Sequence, residues 1–456
     1  MKNPAAKINS AAPATPITPA LTASMERDFQ ANPQFKLLEN AVTAVSAQNL
    51  VTRRDVVVST DNSFSIHLDD WAVTNQKSSG RCWLFAGLNL LRVGAMKKMN
   101  LKNFEFSQNY PLFWDKLEKA NYFLEAIIET AGLDIDDRTV NHLLSYPLSD
   151  GGQWNMFADL VEKYGLVPKA AMPETESSSN TGVMNGVLVS KLREGAKTLR
   201  DLRAKGAGAG ELKSAKENIL SVFYRILCIH LGHPPAKFDW QWKDSKNKFL
   251  RDENMTPPAF AKKYLAVPVK EYVCLVHDPR PGSPYGRTYT VKYLGNVVGA
   301  GIVLYLNVEV EFIKETALRM LKAGEPVWFG CDVGKQMDRA AGLWDASLHD
   351  FENFYGTTFG LDKSARLLYG ASRMSHAMLF TGVDIMKGKP RRWRVENSWG
   401  DAAGQKGFFT MNDSWFEQYT FEIAARMKYL PAKYKAALKL EPIVLPPWDP
   451  MGSLAY

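Results

Sequence analysis

Three separated segments of this 456-residue chain carry side chains that could cooperate in thiol chemistry. The first is Gln76-Lys77-Ser78-Ser79-Gly80-Arg81-Cys82-Trp83, which runs directly into an apolar stretch over 84–91. Leu84, Leu88, Leu91 and Ala95 recur at the helical period, so the spacing predicts a helix with Cys82 on its first turn. Lys97 and Lys98 close that helix, where positive charge suits the negative end of the macrodipole. A thiol at the opposite end has its thiolate stabilised, and the thiolate is the nucleophile. A cysteine at a helix start reads equally well as a small buried hydrophobe, and this segment alone does not separate the two readings.

A nucleophilic thiol needs a base. His67, His142, His230, His233, His277 and His349 lie in polar loops or helical contexts, whereas His376 opens an apolar strand, Met374-Ser375-His376-Ala377-Met378-Leu379-Phe380, bounded by Gly382. The third segment is Trp393-Arg394-Val395-Glu396-Asn397-Ser398-Trp399-Gly400. At strand period, Trp393, Val395, Asn397 and Trp399 share one face, which turns Asn397 inward. A buried amide left unpaired costs about 1–3 kcal/mol. The ring N–H of a histidine would satisfy it, and the other ring nitrogen would then face the thiol. Cys82, His376 and Asn397 thus supply nucleophile, base and orienting group. Gln76 precedes Cys82 across a Ser-Ser-Gly turn, so its amide can fold back and join the Cys82 N–H as an oxyanion donor.

The elements that must position these residues fall into two sides. Helical patterns cover 25–47, 104–130 and 156–164, with a glycine turn at Ser149-Asp150-Gly151-Gly152-Gln153-Trp154 and a strand-like stretch at 55–68. Strand patterns follow over 272–276, 289–294, 303–310 and 327–331, with a helix over 313–322. Between the two sides, Lys191, Arg193, Lys197, Arg200, Arg203, Lys205, Lys213 and Lys216 mark a basic helical hairpin broken at Gly206. The expected organisation is a disordered leader at 1–24, a helical side at 25–187, an inserted helical module at 188–265, a strand-rich side at 266–440 and a C-terminal arm at 441–456.

Composition narrows the function classes. No apolar run approaches the ~18–20 residues that cross a bilayer; the stretch over 297–306 reads as a buried strand or turn, so no membrane partner is expected. Cys82, Cys228, Cys274 and Cys331 show no CxxC pairing, so neither a metal site nor a disulfide framework is expected, and no cofactor is implied. Unpaired cysteines and the lack of a secretory signal point to a reducing, cytoplasmic location. The leader has no acidic residue, as in mitochondrial presequences, but also no arginine, so a mitochondrial form is the alternative. The net charge of +8 permits an acidic partner such as nucleic acid.

Gln76 with Cys82-Trp83, then Ser375-His376-Ala377, then Asn397-Ser398-Trp399-Gly400 together resemble the signatures of papain-like cysteine peptidases. Asn75-Gln76, Phe106-Ser107-Gln108-Asn109-Tyr110, Asp150-Gly151-Gly152-Gln153-Trp154, Asp278-Pro279-Arg280-Pro281, Trp328-Phe329-Gly330-Cys331-Asp332 and the ending Leu445-Pro446-Pro447-Trp448-Asp449-Pro450 are similar to the bleomycin hydrolase branch of that family, the intracellular aminopeptidases. The resemblance runs from about Asp28 to the end of the sequence.

It implies an α+β papain-like fold with an inserted helical, hook-like oligomerisation module, and a homohexamer whose active sites face an inner channel. It also implies the roles: Cys82 nucleophile, His376 general base then acid, Asn397 orienter, Gln76 oxyanion donor and Trp399 a shield over the His–Asn bond. Gly151 and Gly152 resemble the strip that binds substrate backbone, with a purely structural turn as the alternative. The arm would lie in the cleft, Tyr456 would be removable, and Ala455 would then present its carboxylate to the substrate ammonium. The implied activity is thiol-dependent removal of N-terminal residues from peptides and amide-bearing small molecules, with a basic channel that binds single-stranded nucleic acid. Ser79 and Ser149-Asp150 stand where secreted relatives carry a disulfide. A transglutaminase-like Cys-His-Asp enzyme is disfavoured by Asn397 and by the spacing to Gln76; a nucleic-acid-binding protein that has lost the chemistry is disfavoured by the complete quartet.

Overall fold

The structure, a computed structural model, describes residues 15–68 and 71–456. The chain divides into two compact units. The smaller one combines the described residues up to Asp55 with Ser347–Gly360. Helices Pro19–Ala31 and Pro33–Ala44 belong to it, each opened by a capping side chain and a proline: the Leu21 N–H donates to Thr18 Oγ1 at 3.2 Å and the Gln34 N–H to Asn32 Oδ1 at 3.0 Å. The single helix expected over 25–47 is therefore two, because Pro33 cannot sit inside a helix. The first helix also corrects the disordered leader expected over 1–24, since it begins at Pro19 behind the Thr18 cap; residues 1–14 lie outside the described residues. Backbone bonds Arg53 N–Leu348 O (2.8 Å) and Asp350 N–Val51 O (2.9 Å) join the two segments of this unit.

Residues 54–59 correct the strand expected over 55–68: they form a helix, and only Ile66–His67 is strand, pairing with Val383 and Gly382. Three consecutive valines favour a strand only where a sheet edge receives them.

In the larger unit, helices Cys82–Met99, Asn109–Glu129 and Trp154–Tyr164 build the helical side. The cysteine helix buries 15 of its 18 residues, so the one-sided stripe in the sequence understates its burial. On the other side a twelve-stranded sheet places Tyr272–Val276, Thr420–Arg426, Val327–Cys331, His376–Met386, Lys389–Glu396 and Phe408–Asn412 in that spatial order. Val327–Cys331 is wholly buried and pairs antiparallel with the strand that starts at His376, in the register His376–Cys331. Burial on both faces explains why neither strand alternates apolar with polar residues.

Two long helices, Gly182–Ala204 and Ala209–Leu231, lie against Asn109–Glu129. A β-hairpin, Phe238–Lys243 with Phe249–Met255, follows them and was not legible in the sequence. The expected boundary at 187/188 cuts through the first of these helices, which buries Met184, Leu188, Leu192 and Leu199 in the main core. Their basic face offers less free charge than its sequence suggests. Lys191, Lys197, Lys213 and Lys216 each pair with a carboxylate, and Arg193 and Arg200 donate to backbone carbonyls. Among the described residues no helix is long and apolar enough to cross a membrane.

Candidate active site

Cys82 is the first residue of its helix and is buried, and the Ala377 N–H donates toward its sulfur. The thiol therefore faces the residue that follows His376. His376 is the first residue of its strand, and its Nε2 stands 2.9 Å from Asn397 Oδ1. The Ser398 N–H donates to the same Oδ1 at 2.8 Å, which fixes the amide so that its oxygen meets the ring. His376 Nε2 must then carry the proton, and Nδ1 is left with the lone pair a base requires. Asn397 is fully buried, and its neighbours Glu396 and Ser398 on the other face are buried as well.

Asn397 and its neighbour Glu396 point to opposite sides of the strand end. Glu396 accepts from Arg92 at 2.6 Å, Asn89 at 2.9 Å and Trp71 Nε1 at 2.7 Å. Arg92 and Asn89 both belong to the cysteine helix, so one residue locks the thiol-bearing helix to the strand and the next orients the base.

Gln76 is held in place at both ends of its amide. Its Nε2 donates to Ser79 O at 2.5 Å and its Oε1 accepts from Ser398 Oγ at 2.6 Å, which leaves one Nε2 hydrogen for a ligand. Asn75 bridges Trp399, and the Trp399 ring lies 5.0 Å from the His376 ring at an angle of 34°. The shield expected of Trp399 is thus in contact with the imidazole. Behind it, the Arg339 guanidinium sits 4.5 Å above the Trp399 ring.

Electrostatics corrects one expectation. A helix start alone favours the thiolate, yet burial pushes the Cys82 thiol up to about 11, against the opposing Ala377, Trp83 and Cys82 N–H groups. Burial likewise pushes the His376 imidazole down to about 4; the Asn397 bond opposes this and the Arg339 cation adds to it. Burial thus disfavours both the thiolate and the imidazolium as isolated charges.

Where secreted papain-like enzymes carry a disulfide, Asp150 makes the cross-tie. It accepts the Gly80 N–H at 2.9 Å, Lys116 at 2.6 Å, Thr181 Oγ1 at 2.5 Å and Asn185 at 2.8 Å, and its carbonyl accepts Trp83 Nε1 at 2.6 Å. Burial would raise its carboxyl, but Lys116 and these donors hold it well below the usual carboxylate range. Arg81, fully buried, adds a two-pronged bond to Glu174 (3.0 and 2.6 Å). Asp150, Glu174, Glu396 and Arg339 carry no motif-level signal of these roles, because each partner lies far away in the sequence.

The arm occupies the cleft at the glycine strip. A Cβ on Gly151 would stand 2.3 Å from the Leu454 carbonyl oxygen and 3.0 Å from the Ala455 carbonyl carbon, and one on Gly152 would stand 2.5 Å from the Trp83 ring. Gly151 therefore admits a passing chain, whereas Gly152 makes room for Trp83. The arm is pinned along its length. Arg280 joins Asp278 to Asp449, Tyr305 donates to Met451 O at 3.2 Å, Ser453 donates to Met374 O at 2.8 Å, and Ser149 donates to Ala455 O. The Tyr456 ring rests against His142 and Tyr146, with centroids 5.2 and 5.5 Å away, beside a cavity of about 50 Å³ lined by Lys119 and Tyr122. The Asp278-Pro279-Arg280 motif thus fastens the arm.

Residues 16–452 match the model of the Peptidase C1-like family. Aminopeptidase C of Streptococcus thermophilus is 44% identical over 97% of this chain and 99% of its own length. Human bleomycin hydrolase is 40% identical over 95% of this chain and 97% of its own. The crystal structure of PepW from Lactobacillus rhamnosis HN001 superposes with a TM-score of 0.94 at 44% identity, over 96% of this chain and 99% of that one. With that fold and that degree of identity, the chain belongs to the Peptidase C1-like family of papain-like cysteine peptidases.

Proposed function

We infer that the protein is a thiol-dependent aminopeptidase that removes N-terminal residues from peptides and amide-bearing small molecules. The observation that carries this reading is the seat of the Cys82 sulfur against Ala377, while Asn397 holds the far nitrogen of the adjoining His376 ring. Proton transfer from Cys82 to His376 Nδ1 creates the nucleophile, which attacks the scissile carbonyl. The Cys82 N–H and the unused Gln76 N–H stabilise the oxyanion. His376 then protonates the leaving amine, and a water activated by the same ring hydrolyses the acyl-enzyme.

The arm over Gly151 supports an exopeptidase, since it fills the strip on which a longer acyl portion would lie. Tyr456 is the residue that self-processing would remove, and Ala455 would then carry the carboxylate that receives the substrate ammonium. Mass spectrometry of the wild type and of Cys82→Ala tests this: identical intact termini would refute it.

The decisive assay is hydrolysis of an aminoacyl fluorogenic amide by wild type and Cys82→Ala, with and without a thiol alkylator. Activity that survives the substitution would sink the mechanism. An N-acetylated substrate cleaved as fast as the free amine would make the protein an endopeptidase.

Three properties of the assembled protein belong to the same proposal. A homohexamer would sediment near six times the chain mass. Single-stranded DNA would bind through Arg203, Lys205 and neighbouring charges and would be released steeply by salt. A fluorescent fusion would distribute through the cytoplasm.

A further inference from the structure

The loop that delivers Cys82 crosses the cleft from one wall to the other. At its start, Gln76 N donates to Ser398 O at 2.8 Å and Asn75 bridges Trp399. At its end, Gly80 N donates to Asp150, and the Trp83 ring packs against Gly152. Cys82 thus lies between a Gly151 flank and a Trp399 flank. The chain's own arm covers the first. A substrate whose acyl group is bounded by that arm sends its leaving amine across the second.

What waits on the second flank is a cation. The Trp399 ring lies 5.0 Å from the His376 ring, and the Arg339 guanidinium sits 4.5 Å above Trp399. Arg339 is exposed, and among the described residues no carboxylate forms an ion pair with it. The adjacent Asp338 carboxylate instead accepts the Ala341 N–H at 2.9 Å. A guanidinium held over an aromatic ring, with no carboxylate paired to it, keeps N–H donors free, and its fork matches a carboxylate two-pronged. Stacking also limits its rotamers, so less freedom is lost when a ligand binds.

We propose that Arg339 recognises the α-carboxylate of the leaving group, so that the preferred substrates are short peptides with a free C-terminus one or two residues beyond the scissile bond. Reach sets the length. The guanidinium lies two successive ring contacts from the imidazole that protonates the leaving amine, and an extended residue spans about 3.3 Å. A much longer leaving group would carry its carboxylate past Arg339, and one ending in an amide would present no charge.

The proposal rests on Cys82 and His376 being the reacting pair, and its test separates the two. Full-length wild type, Arg339→Gln and Arg339→Lys are assayed on a dipeptide and a tripeptide, each as free acid and as C-terminal amide, alongside an aminoacyl fluorogenic amide. The expected result is a wild-type acid-to-amide ratio in kcat/KM on the order of tenfold, the lower end for a hydrogen bond to a charged group. That ratio falls toward one in Arg339→Gln and is partly kept by Arg339→Lys, which retains charge without the planar fork. Because the ratio is internal to each variant, a general loss of folded enzyme does not move it. A wild-type ratio of one, or a ratio unchanged in Arg339→Gln, overturns the proposal. Failure of every substrate, including the fluorogenic amide, instead overturns the reading of Cys82 and His376.

Discussion

Arg92 donates to Glu396 at 2.6 Å with both side chains buried, and this bond ties the helix that begins at Cys82 to the strand that ends at Glu396, next to Asn397. Removing one partner of such a pair strands a charge in the core. Glu396→Ala should therefore cost about 3–5 kcal/mol in unfolding free energy, whereas exchanging both residues for apolar ones, Arg92→Met with Glu396→Leu, should recover part of it, since Asn89 and Trp71 still lose their acceptor. Denaturant titration of the three variants checks this; equal loss in the single and double variants would contradict it.

Asn397 acts through His376, so its removal should reach the rate and spare binding. Asn397→Ala should lower kcat by about 10- to 100-fold, equivalent to about 1–3 kcal/mol for a lost buried hydrogen bond. KM should hold. Steady-state kinetics on one aminoacyl amide suffices, and a change confined to KM would contradict the assigned role.

The coupled thiol and imidazole predict how alkylation depends on pH. In the wild type, internal proton transfer supplies thiolate at neutral pH. In His376→Ala the thiol has no base, and burial, which pushes it up to about 11 in the wild type, still disfavours the thiolate. Alkylation of Cys82 by iodoacetamide at pH 7 should fall by orders of magnitude in the variant and recover as pH rises toward 11. Undiminished labelling at pH 7 would show that the helix start alone generates the thiolate.

Gly151 tests the arm. A methyl group there would meet the Leu454 carbonyl oxygen at 2.3 Å, and carbonyl backbone cannot yield as a flexible side chain can. Gly151→Ala should lift the arm and raise the turnover of N-acetylated relative to free-amine substrates. A ratio that does not move would mean that the arm does not set the exopeptidase preference.

Glu422 makes a prediction about stability. It is fully buried, and burial pushes the group from its ordinary 4.5 up to about 7, with only the neighbouring Cys274 thiol opposing the shift. Folding thus takes up a proton between these values. The group's contribution is complete below about pH 4.5 and is lost as pH rises through 7, a swing of ~3 kcal/mol. Unfolding curves of wild type and Glu422→Gln from pH 4.5 to 8 should diverge by that amount, the wild type losing ground as pH rises. Parallel curves would show that Glu422 is ionised in the folded protein.

The sequence by itself determined which residue types stand at which local periods. Cys82 opens a helix because a polar, glycine-containing approach meets a helical apolar run. Alternation along 393–399 puts Asn397 and Glu396 on opposite faces, and packing buries both. The strands at Tyr272–Val276 and Val327–Cys331 are equally local. Tertiary structure decided the rest. Asp150 stands in for a covalent tie through Lys116 and the Gly80 N–H, and Glu396 reaches back to Arg92; such pairings are set by packing and leave no local pattern. The three valines of 54–59 turn helical, and the hairpin over 238–255 forms, where neighbours outweigh local propensity. Burial, which no window of sequence reports, disfavours the charged form of both the thiol and the imidazole. The same folding lays the chain's last residues across Gly151 and brings the Arg339 guanidinium over Trp399.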